Sequence, residues 1–237
     1  MDKLVFLDTE TTGNALLSDR ICQVCYSKSN IIHCQYFKPP VPISVKAQSI
    51  THITNKMVAA SEEFISSKMK KDLKKLFSDN ILVAHNAPFD IAMLAREGVS
   101  VPKFICTLKI ARFLDTENKI PEYNLQYLRY FLELEVKASA HDAKSDVIVL
   151  KALFNNLYSQ MLKIYKTEEK VIETMMEISS SPFLIKFFNF GKYKDRKVEE
   201  IVYLDKAYLH WLLTQKMQNS SNEDDWIYTL KYHLKIK

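Results

Sequence analysis

Residues 3–13 have the sequence KLVFLDTETTG, which is the basis for predicting both the fold and the site. The first five of these residues form an apolar, β-prone run, which predicts a buried strand. Asp8 and Glu10 end the run two positions apart, so the alternation of a strand directs both carboxylates to one face. Like charges at this spacing repel each other unless a cation lies between them, and a pair of divalent metal ions is the natural occupant. The alternative is a strand end whose two acids are simply solvated.

The composition is that of an ordinary globular protein, with 47% apolar and 26% charged residues in a chain of 237. A formal net charge of +5 is compatible with a polyanionic partner but is not diagnostic of one. The sequence has no run long and apolar enough to span a membrane, and its first apolar run is too short for a signal peptide. We therefore expect a cytoplasmic protein with no membrane partner.

The cysteines provide little evidence for a metal or redox site. Cys22 and Cys25 form a CxxC pair, and Cys34 and Cys106 stand alone. Residues three apart on a strand face opposite ways, so one metal ion would not take both thiols of the pair. We expect buried free thiols in a reducing compartment.

The order of the predicted elements indicates an α/β fold. Three early strands with tight connections predict a meander, and a later strand returns between helices, which is typical of a mixed sheet. The predicted strands are 3–7, 21–27, 31–37, 81–84 and 104–106, and the predicted helices are 61–77, 92–97, 107–114, 123–132 and 140–164. Ser139 and Asp142 form a capping-box pattern at the start of the last helix.

Two further acids stand at the ends of predicted elements. Asp90 falls in the first turn of the helix after residues 84–90, and Asp146 lies five residues after His141 at the start of the long helix. Each has an ordinary alternative, because an acid near a helix N-terminus is favoured by the macrodipole and a surface histidine is common. The joint pattern of four acids and a neighbouring histidine nevertheless predicts one site.

Three motifs resemble those of the DEDDh superfamily of 3′→5′ exonucleases. They are DTETTG at 8–13, HNAPFD at 85–90 and HDAKSD at 141–146. The resemblance implies a ribonuclease-H-like fold, in which helices flank a mixed sheet, followed by a small α+β C-terminal module.

Longer stretches resemble the exodeoxyribonuclease X branch of that superfamily. They are residues 42–54, 104–114 and 188–213, so the resemblance covers nearly the whole chain. It implies an exonuclease domain at 1–178 and a C-terminal module at 183–237.

The resemblance also implies a chemistry. Asp8, Glu10, Asp90 and Asp146 would hold two Mg²⁺ or Mn²⁺ ions, and His141 would be the general base toward the attacking water. The implied reaction releases nucleoside 5′-monophosphates from the 3′ ends of single-stranded or duplex DNA, in DNA repair. The family positions that hold the terminal nucleotide correspond to Thr11, Thr12, Gly13, Asn86 and Phe89. The last of these is equally well interpreted as a core residue.

Two departures from the family pattern affect substrate contacts. Related enzymes usually have Ile-His-x-Ile-Thr where this chain has ITHIT at 50–54, so Thr51 takes the usual histidine position and His52 is displaced by one. The loop after Gly13 is longer, and in the family it can wedge against the last base. Leu16 or Leu17 would do so here by unstacking the end pair, and the alternative is that both leucines fold back on the core.

The tail follows a predicted linker at 179–182. The pattern of residues 183–193 predicts a strand or hairpin arm. At its end, Lys192 and Lys194 would contact a phosphate backbone, and Tyr193 would stack on a base. The alternative is a solvated turn over a small aromatic core. The expected helical packing partners are Tyr208, Leu209, Trp211, Leu212 and Trp226.

Three functions stay open on these grounds. The first is a DNA exonuclease, and the second is an exonuclease of the same superfamily that acts on RNA 3′ ends, because recognition of the 2′-hydroxyl depends on details of the pocket. The third is a non-catalytic nucleic-acid-binding module, which the intact set of acids argues against. Protein partners are left open by the sequence.

Overall fold

The computed structural model describes residues 2–136, 143–218 and 223–236. The chain divides into two compact units, Met1–Ser180 and Ser181–Lys237. In the described ranges, none of the helices combines the length and apolarity that crossing a bilayer requires.

A five-stranded mixed sheet forms the centre of the first unit. Its strands are β1 (Leu4–Thr11), β2 (Ile21–Lys28), β3 (Ile31–Tyr36), β4 (Ile81–Ala84) and β5 (Phe104–Cys106). The spatial order is β3-β2-β1-β4-β5, in which β1, β2 and β3 are antiparallel neighbours and β4 and β5 run parallel to β1. The predicted meander and the predicted mixed sheet are therefore confirmed, and β1 is the central strand.

Eight helices of the described residues belong to the first unit and three to the second. In the first unit they are α1 (Val45–Thr51), α2 (Asn55–Val58), α3 (Lys68–Asp79), α4 (Ala87–Arg96), α5 (Thr107–Leu114), α6 (Leu125–Phe131), α7 (Ala143–Tyr165) and α8 (Glu168–Ser180). In the second they are α9 (Val198–Leu204), α10 (Lys206–Gln218) and α11 (Asp224–Leu234).

The helix predicted over 61–77 begins later than expected. A short 3-10 turn, Phe64–Ser66, comes first, and α3 starts after Ser67, whose hydroxyl accepts the Lys70 N–H at 3.1 Å. This N-cap interrupts an apolar pattern that by itself looks continuous. The capping pair predicted at Ser139 and Asp142 lies outside the described residues.

The two faces of the sheet have separate cores. Leu4 and Phe6 of β1 pack with α5, α6, α7 and α8 on one face, whereas Val5 and Leu7 pack with α3 and α4 on the other. Asp8 and Glu10 continue the parity of Leu4 and Phe6. Both acids therefore emerge on the face covered by α7.

The expectation of free thiols is wrong for one pair of cysteines. Cys25 and Cys34 face each other across β2 and β3, with their Cα atoms 4.1 Å apart, and form a disulfide. Cys22 and Cys106 are free and buried, as expected. Cys22 and Cys25 lie in different core clusters, and Cys25 is bonded to Cys34, so the CxxC pair does not form one site.

The second unit is mostly helical. Instead of the strand predicted over 183–193, Phe187 and Lys197 form a single antiparallel bridge, followed by a 3-10 turn, Gly191–Tyr193. Of the expected packing partners, Leu209, Leu212 and Trp226 are buried with Phe188. Trp211 is 55% exposed, because it lies on the outer side of α10.

Candidate active site

Three acidic side chains converge at the end of β1. Asp8 and Glu10 come from the strand, and Asp146 comes from the first turn of α7, which covers that face of the sheet. One ligand oxygen from each of the three lies within 4.8 Å of the others. The fold thus brings together two acids that are two positions apart in the sequence and a third that lies more than a hundred residues later.

A β-bulge follows these acids and redirects the chain. Glu10 pairs with Gln23 and Thr11 pairs with Ile21, so Cys22 is the extra residue on β2. Such a bulge bends the strand at its end and re-aims the residues that follow. Here the bulged strand is β2, and its bend lies opposite Glu10 and Thr11.

Asp90 reaches the same strand end from the opposite side. It lies in the first turn of α4, is only 4% exposed, and accepts hydrogen bonds at Oδ1 from the Thr9 N–H (3.1 Å) and the Thr9 hydroxyl (2.7 Å). Thr9 stands between Asp8 and Glu10 in sequence but faces the other way. Thr9 was not among the residues predicted for the site, although its place inside DTE was a signal for it.

The four carboxyl groups influence one another strongly. Burial, and then the charges of Asp90, Glu10 and Asp146, raise the pKa of Asp8 well above its ordinary value. Burial and the charges of Asp146 and Asp90 raise the pKa of Glu10 to about 7. Burial also raises the pKa of Asp90 to about 7, although the two hydrogen bonds from Thr9 act in the opposite direction. Near neutral pH, a nearby cation is needed to hold these groups ionised at low free-energy cost.

The donor set fits a hard divalent cation. Asp8, Glu10 and Asp146 offer carboxylate oxygen only, which is the ligand type that Mg²⁺ and Mn²⁺ prefer, and no cysteine or histidine of the described ranges joins this group. The raised pKa values of Asp8 and Glu10 also favour a cation at this site, because a bound cation would stabilise the charged forms of both side chains. Carboxylates from two separate elements thus form an acidic cluster, and their assignment as metal ligands stays a prediction.

Gln126 holds the carboxylate that α7 contributes. Its Nε2 donates to Asp146 Oδ1 at 2.5 Å. Gln126 lies in the first turn of α6, a helix that begins where Asn124 Oδ1 accepts the Tyr127 N–H at 2.7 Å. Gln126 was not predicted as a site residue, because a glutamine on a short amphipathic helix is indistinguishable in sequence from a solvated residue.

His85 has a structural role beside the site. Its Nε2–H donates to the Tyr123 carbonyl oxygen at 2.7 Å, and its Nδ1 lies 2.9 Å from the Thr107 hydroxyl. Burial lowers the pKa of His85 to about 4, so the ring is neutral at physiological pH. It therefore ties the end of β4 to α5 and to the segment before α6.

The turn after β1 is braced from within by Asp19. Its carboxylate accepts hydrogen bonds from the Thr12 hydroxyl and the Ala15 N–H, both at 2.7 Å. A Cβ on Gly13 would lie 2.5 Å from Asp19 Oδ2, so the turn has no room for a side chain there. The Thr11 hydroxyl donates to the Gly13 carbonyl oxygen at 2.5 Å, and Thr12 is fully buried. Three of the predicted nucleotide contacts thus lie together in one closed turn.

The loop that continues this turn presents one leucine to solvent. Leu16 packs partly on the core, and its carbonyl oxygen accepts a hydrogen bond from Arg96 at 2.7 Å. Arg20 forms an ion pair with buried Glu97 at 3.0 Å, which fixes the other end of the loop. Leu17 is 91% exposed. The alternative in which both leucines fold back on the core is therefore wrong for Leu17.

The remaining predicted contacts of the first unit lie near helix ends. Asn86 has a left-handed backbone (φ 64°) at the start of α4, and Phe89 is half-buried against the core. Thr51 is the last residue of α1, and His52 follows it as an exposed C-cap with φ 58°. The Ser44 N–H at the start of α1 donates to a carbonyl of the turn after β1 at 3.1 Å. His141 lies outside the described residues.

In the second unit, two of the three predicted contacts are engaged within the protein. Lys192 Nζ and the Tyr193 hydroxyl both donate to Asp205 Oδ2, at 2.8 and 2.7 Å, and Asp205 Oδ1 accepts the Tyr208 N–H at 3.0 Å. These bonds from Lys192, Tyr193 and Tyr208 lower the pKa of Asp205 to about 2. Lys194 is exposed.

Family comparison agrees with this geometry. A family model described as "Exonuclease" matches residues 5–154, which include β1, α4 and the first half of α7. The chain belongs to the exonuclease family. A second model, described as "Exodeoxyribonuclease X-like C-terminal", matches residues 188–216 of this exonuclease. The predicted family resemblance is confirmed.

Individual relatives extend the comparison over most of the chain. Exodeoxyribonuclease 10 of Escherichia coli (strain K12) is 29% identical over 98% of each chain. A solved structure of exonuclease X in complex with 5′-overhanging duplex DNA superposes with a TM-score of 0.58 at 25% identity, covering 75% of this chain and 99% of that one. A zinc-bound E. coli exonuclease I complex with single-stranded DNA shares the fold, with a TM-score of 0.55, 19% identity, and 72% and 44% coverage. The predicted ribonuclease-H-like fold and the assignment as an exonuclease are confirmed.

Proposed function

We propose that this exonuclease is a metal-dependent 3′→5′ exodeoxyribonuclease that releases nucleoside 5′-monophosphates from DNA 3′ ends. The convergence of Asp8, Glu10 and Asp146 at the end of the central strand carries the proposal, because these oxygens fit divalent metal ions. Similarity over 98% of the chain to a protein named exodeoxyribonuclease 10 supports DNA as the substrate. A cytoplasmic role in DNA repair is proposed with it.

We assign the site residues as follows. Asp8, Glu10, Asp90 and Asp146 would hold two Mg²⁺ or Mn²⁺ ions, which when bound stabilise the attacking and leaving oxygens of the displaced phosphodiester. Thr9 and Gln126 hold two of these carboxylates in place before any substrate arrives. His141, five residues before Asp146, is assigned as the general base toward water. The proposed contacts to the terminal nucleotide are Thr11, Thr12, Gly13, Thr51, His52, Asn86 and Phe89.

For the second unit we propose an electrostatic contact with nucleic acid that is weaker than the contacts of the first unit with the terminal nucleotide. Residues 186–197 carry five cationic side chains and one acidic one, Asp195. Because Asp205 engages Lys192 and Tyr193, these two residues would shape the basic segment, and exposed Lys194 would make the more direct phosphate contact. The unit as a whole, 183–237, is proposed to assist binding rather than catalysis.

The decisive experiment is a gel assay on 5′-labelled DNA with a matched RNA beside it, in Mg²⁺, Mn²⁺ or EDTA. We expect a ladder of products shortened from the 3′ end in either metal and none in EDTA, because the acids cannot act without cations. Faster loss of RNA than of DNA would move the assignment to RNA 3′ ends. Binding of both oligomers without degradation in either metal would contradict the catalytic proposal.

Leu17→Ala is expected to slow digestion of blunt duplex DNA about three- to tenfold while leaving single-stranded DNA within about twofold, since unstacking an end pair costs a few kcal/mol. The reason is that Leu17 is exposed on a braced loop directly after the acids. Initial rates on the two substrates measure the effect, and Leu17→Met, which keeps an apolar tip, is the control. Equal slowing on both substrates would contradict a wedge.

A further inference from the structure

An exposed aromatic surface lies on α6, next to the candidate active site. The helix is anchored on the core through Leu128, which is fully buried. Tyr130, in contrast, is 70% exposed and Phe131 is 43% exposed. Tyr127 stacks on Phe131, with ring centroids 6.0 Å apart and planes 22° apart. Three aromatic rings on one seven-residue helix form an apolar surface of the kind that marks a binding site.

This surface is continuous with the acidic cluster. A groove of about 440 Å³ is lined by Asn124, Gln126, Tyr127, Tyr130 and Phe131. Gln126 is shared, because its Nε2 also donates to Asp146 Oδ1 at 2.5 Å. One side chain therefore forms part of the groove wall and holds a proposed metal ligand. A polymer whose end lies at the acids has this groove as an immediate neighbour.

Aromatic rings and a neighbouring cation favour a nucleic acid as the occupant of the groove. None of the five lining residues is itself acidic, and the one carboxylate bonded to the lining, Glu122, accepts a hydrogen bond from the Asn124 amide at 2.9 Å. The Arg129 guanidinium lies 5.2 Å from the centre of the Tyr130 ring, and its orientation is set by a hydrogen bond to the Val136 carbonyl oxygen at 3.0 Å. Aromatic rings with an arginine beside them are a common combination in proteins that bind unpaired bases. The ring stacks on the face of a base, and the arginine attracts the negative charge of the phosphate groups.

We propose that α6 binds an unpaired nucleotide of the substrate strand, whose base stacks on Tyr130 and whose position precedes the terminal nucleotide. This inference rests on the proposed function, because it takes the strand that enters the acidic site as the occupant. It assigns α6 a role in holding substrate, in addition to the role of Gln126 in positioning Asp146.

The test measures equilibrium binding of labelled single-stranded DNA by fluorescence anisotropy in an Asp8→Asn background, which would prevent cleavage. Adding Tyr130→Ala is expected to weaken binding about five- to tenfold, whereas Tyr130→Trp retains it, because stacking on one base has this magnitude. Ile164→Ala, at an apolar residue that is 56% exposed in the last turn of α7, at the opposite end of that helix from Asp146, is the control and should leave affinity unchanged. Thermal midpoints should agree within about 2 °C, as expected for exposed positions.

Oligonucleotides with one abasic site make the test specific. Removing the base at one position near the 3′ end should weaken the affinity of the Asp8→Asn protein for DNA by the same factor as the Tyr130→Ala substitution does. The protein that carries Tyr130→Ala as well should bind this abasic oligonucleotide and the intact one equally, because the stacking contact is already lost. Unchanged affinity on Tyr130→Ala, or the same loss with every abasic oligonucleotide, would overturn the proposal. So would an equal loss on Ile164→Ala. Because binding is measured without turnover, these outcomes are independent of whether the wild-type protein digests DNA.

Discussion

Asp8→Asn is expected to lower the rate of nucleotide release at least about 10³-fold, because losing an anionic metal ligand removes several kcal/mol of transition-state stabilisation. Asparagine keeps the shape of the side chain but supplies no charge, so the loss is chemical rather than a packing defect. In the metal-free protein at about pH 8, the same change is expected to raise the thermal midpoint by roughly 5 °C. The reason is that Asp8 is crowded by Asp90, Glu10 and Asp146, which raise its pKa together with burial.

Two measurements on one purified variant check this prediction: product formation on 5′-labelled DNA in Mg²⁺, and thermal unfolding in EDTA. Asp79→Asn is the matched control, since Asp79 is exposed on α3 and its loss should alter neither quantity. A variant that loses activity and also becomes less stable would indicate a structural role for Asp8. Retention of more than about a tenth of the activity would contradict its assignment as a metal ligand.

Stabilisation by saturating Mg²⁺ is expected to grow as the pH rises from about 5.5 to about 8, by on the order of 5 °C in the thermal midpoint. The pKa of Glu10 is raised from its ordinary value to about 7, and that of Asp90 likewise to about 7. Between an unfolded pKa near 4 and these folded values, the metal-free folded protein keeps protons that the unfolded chain has released. The contribution of these two carboxyl groups to the stability of the metal-free protein is therefore present at low pH and is lost as the pH rises through about 7.

Thermal unfolding over this pH range, with Mg²⁺ and with EDTA, gives the required difference. His85 contributes with the opposite sign below about pH 6.5, because burial lowers its folded pKa to about 4. That contribution is the same with and without metal, so it cancels in the difference. Asp8→Asn should remove most of the Mg²⁺ effect. A stabilisation that is independent of pH would show that the ion binds away from the raised carboxyl groups.

Local patterns were sufficient for the elements in which neighbouring residues decide the structure. The run before Asp8 forms the central strand, and the two-residue spacing directs both acids to one face. Thr54 caps α2 by accepting the Met57 N–H at 3.2 Å, which is an interaction between residues three apart in the chain. The disulfide was within reach as well, because a hairpin turning at Ser29 and Asn30 places Cys25 directly opposite Cys34.

Other elements depended on contacts that the local pattern does not contain. Ser67 starts α3 in the middle of a continuous apolar repeat. The predicted strand of the second unit is reduced to one bridge, because its aromatic residues pack on helices α10 and α11. Trp211 has the residue type of a core position but lies on the solvent side of its helix.

Residue patterns were enough to predict the central strand and the mixed sheet, and the motifs were enough to single out the acids at 8, 10, 90 and 146. Those features follow from side-chain alternation and from motifs whose residues are close together in the chain. The groups that hold the acids could be found only in the folded chain, since Thr9 binds Asp90 across 81 residues and Gln126 binds Asp146 across 20. Hydrogen bonds of this kind arise when distant elements pack, and an uncharged threonine or glutamine carries no local sign of its partner. The same packing left Tyr130 exposed beside the site.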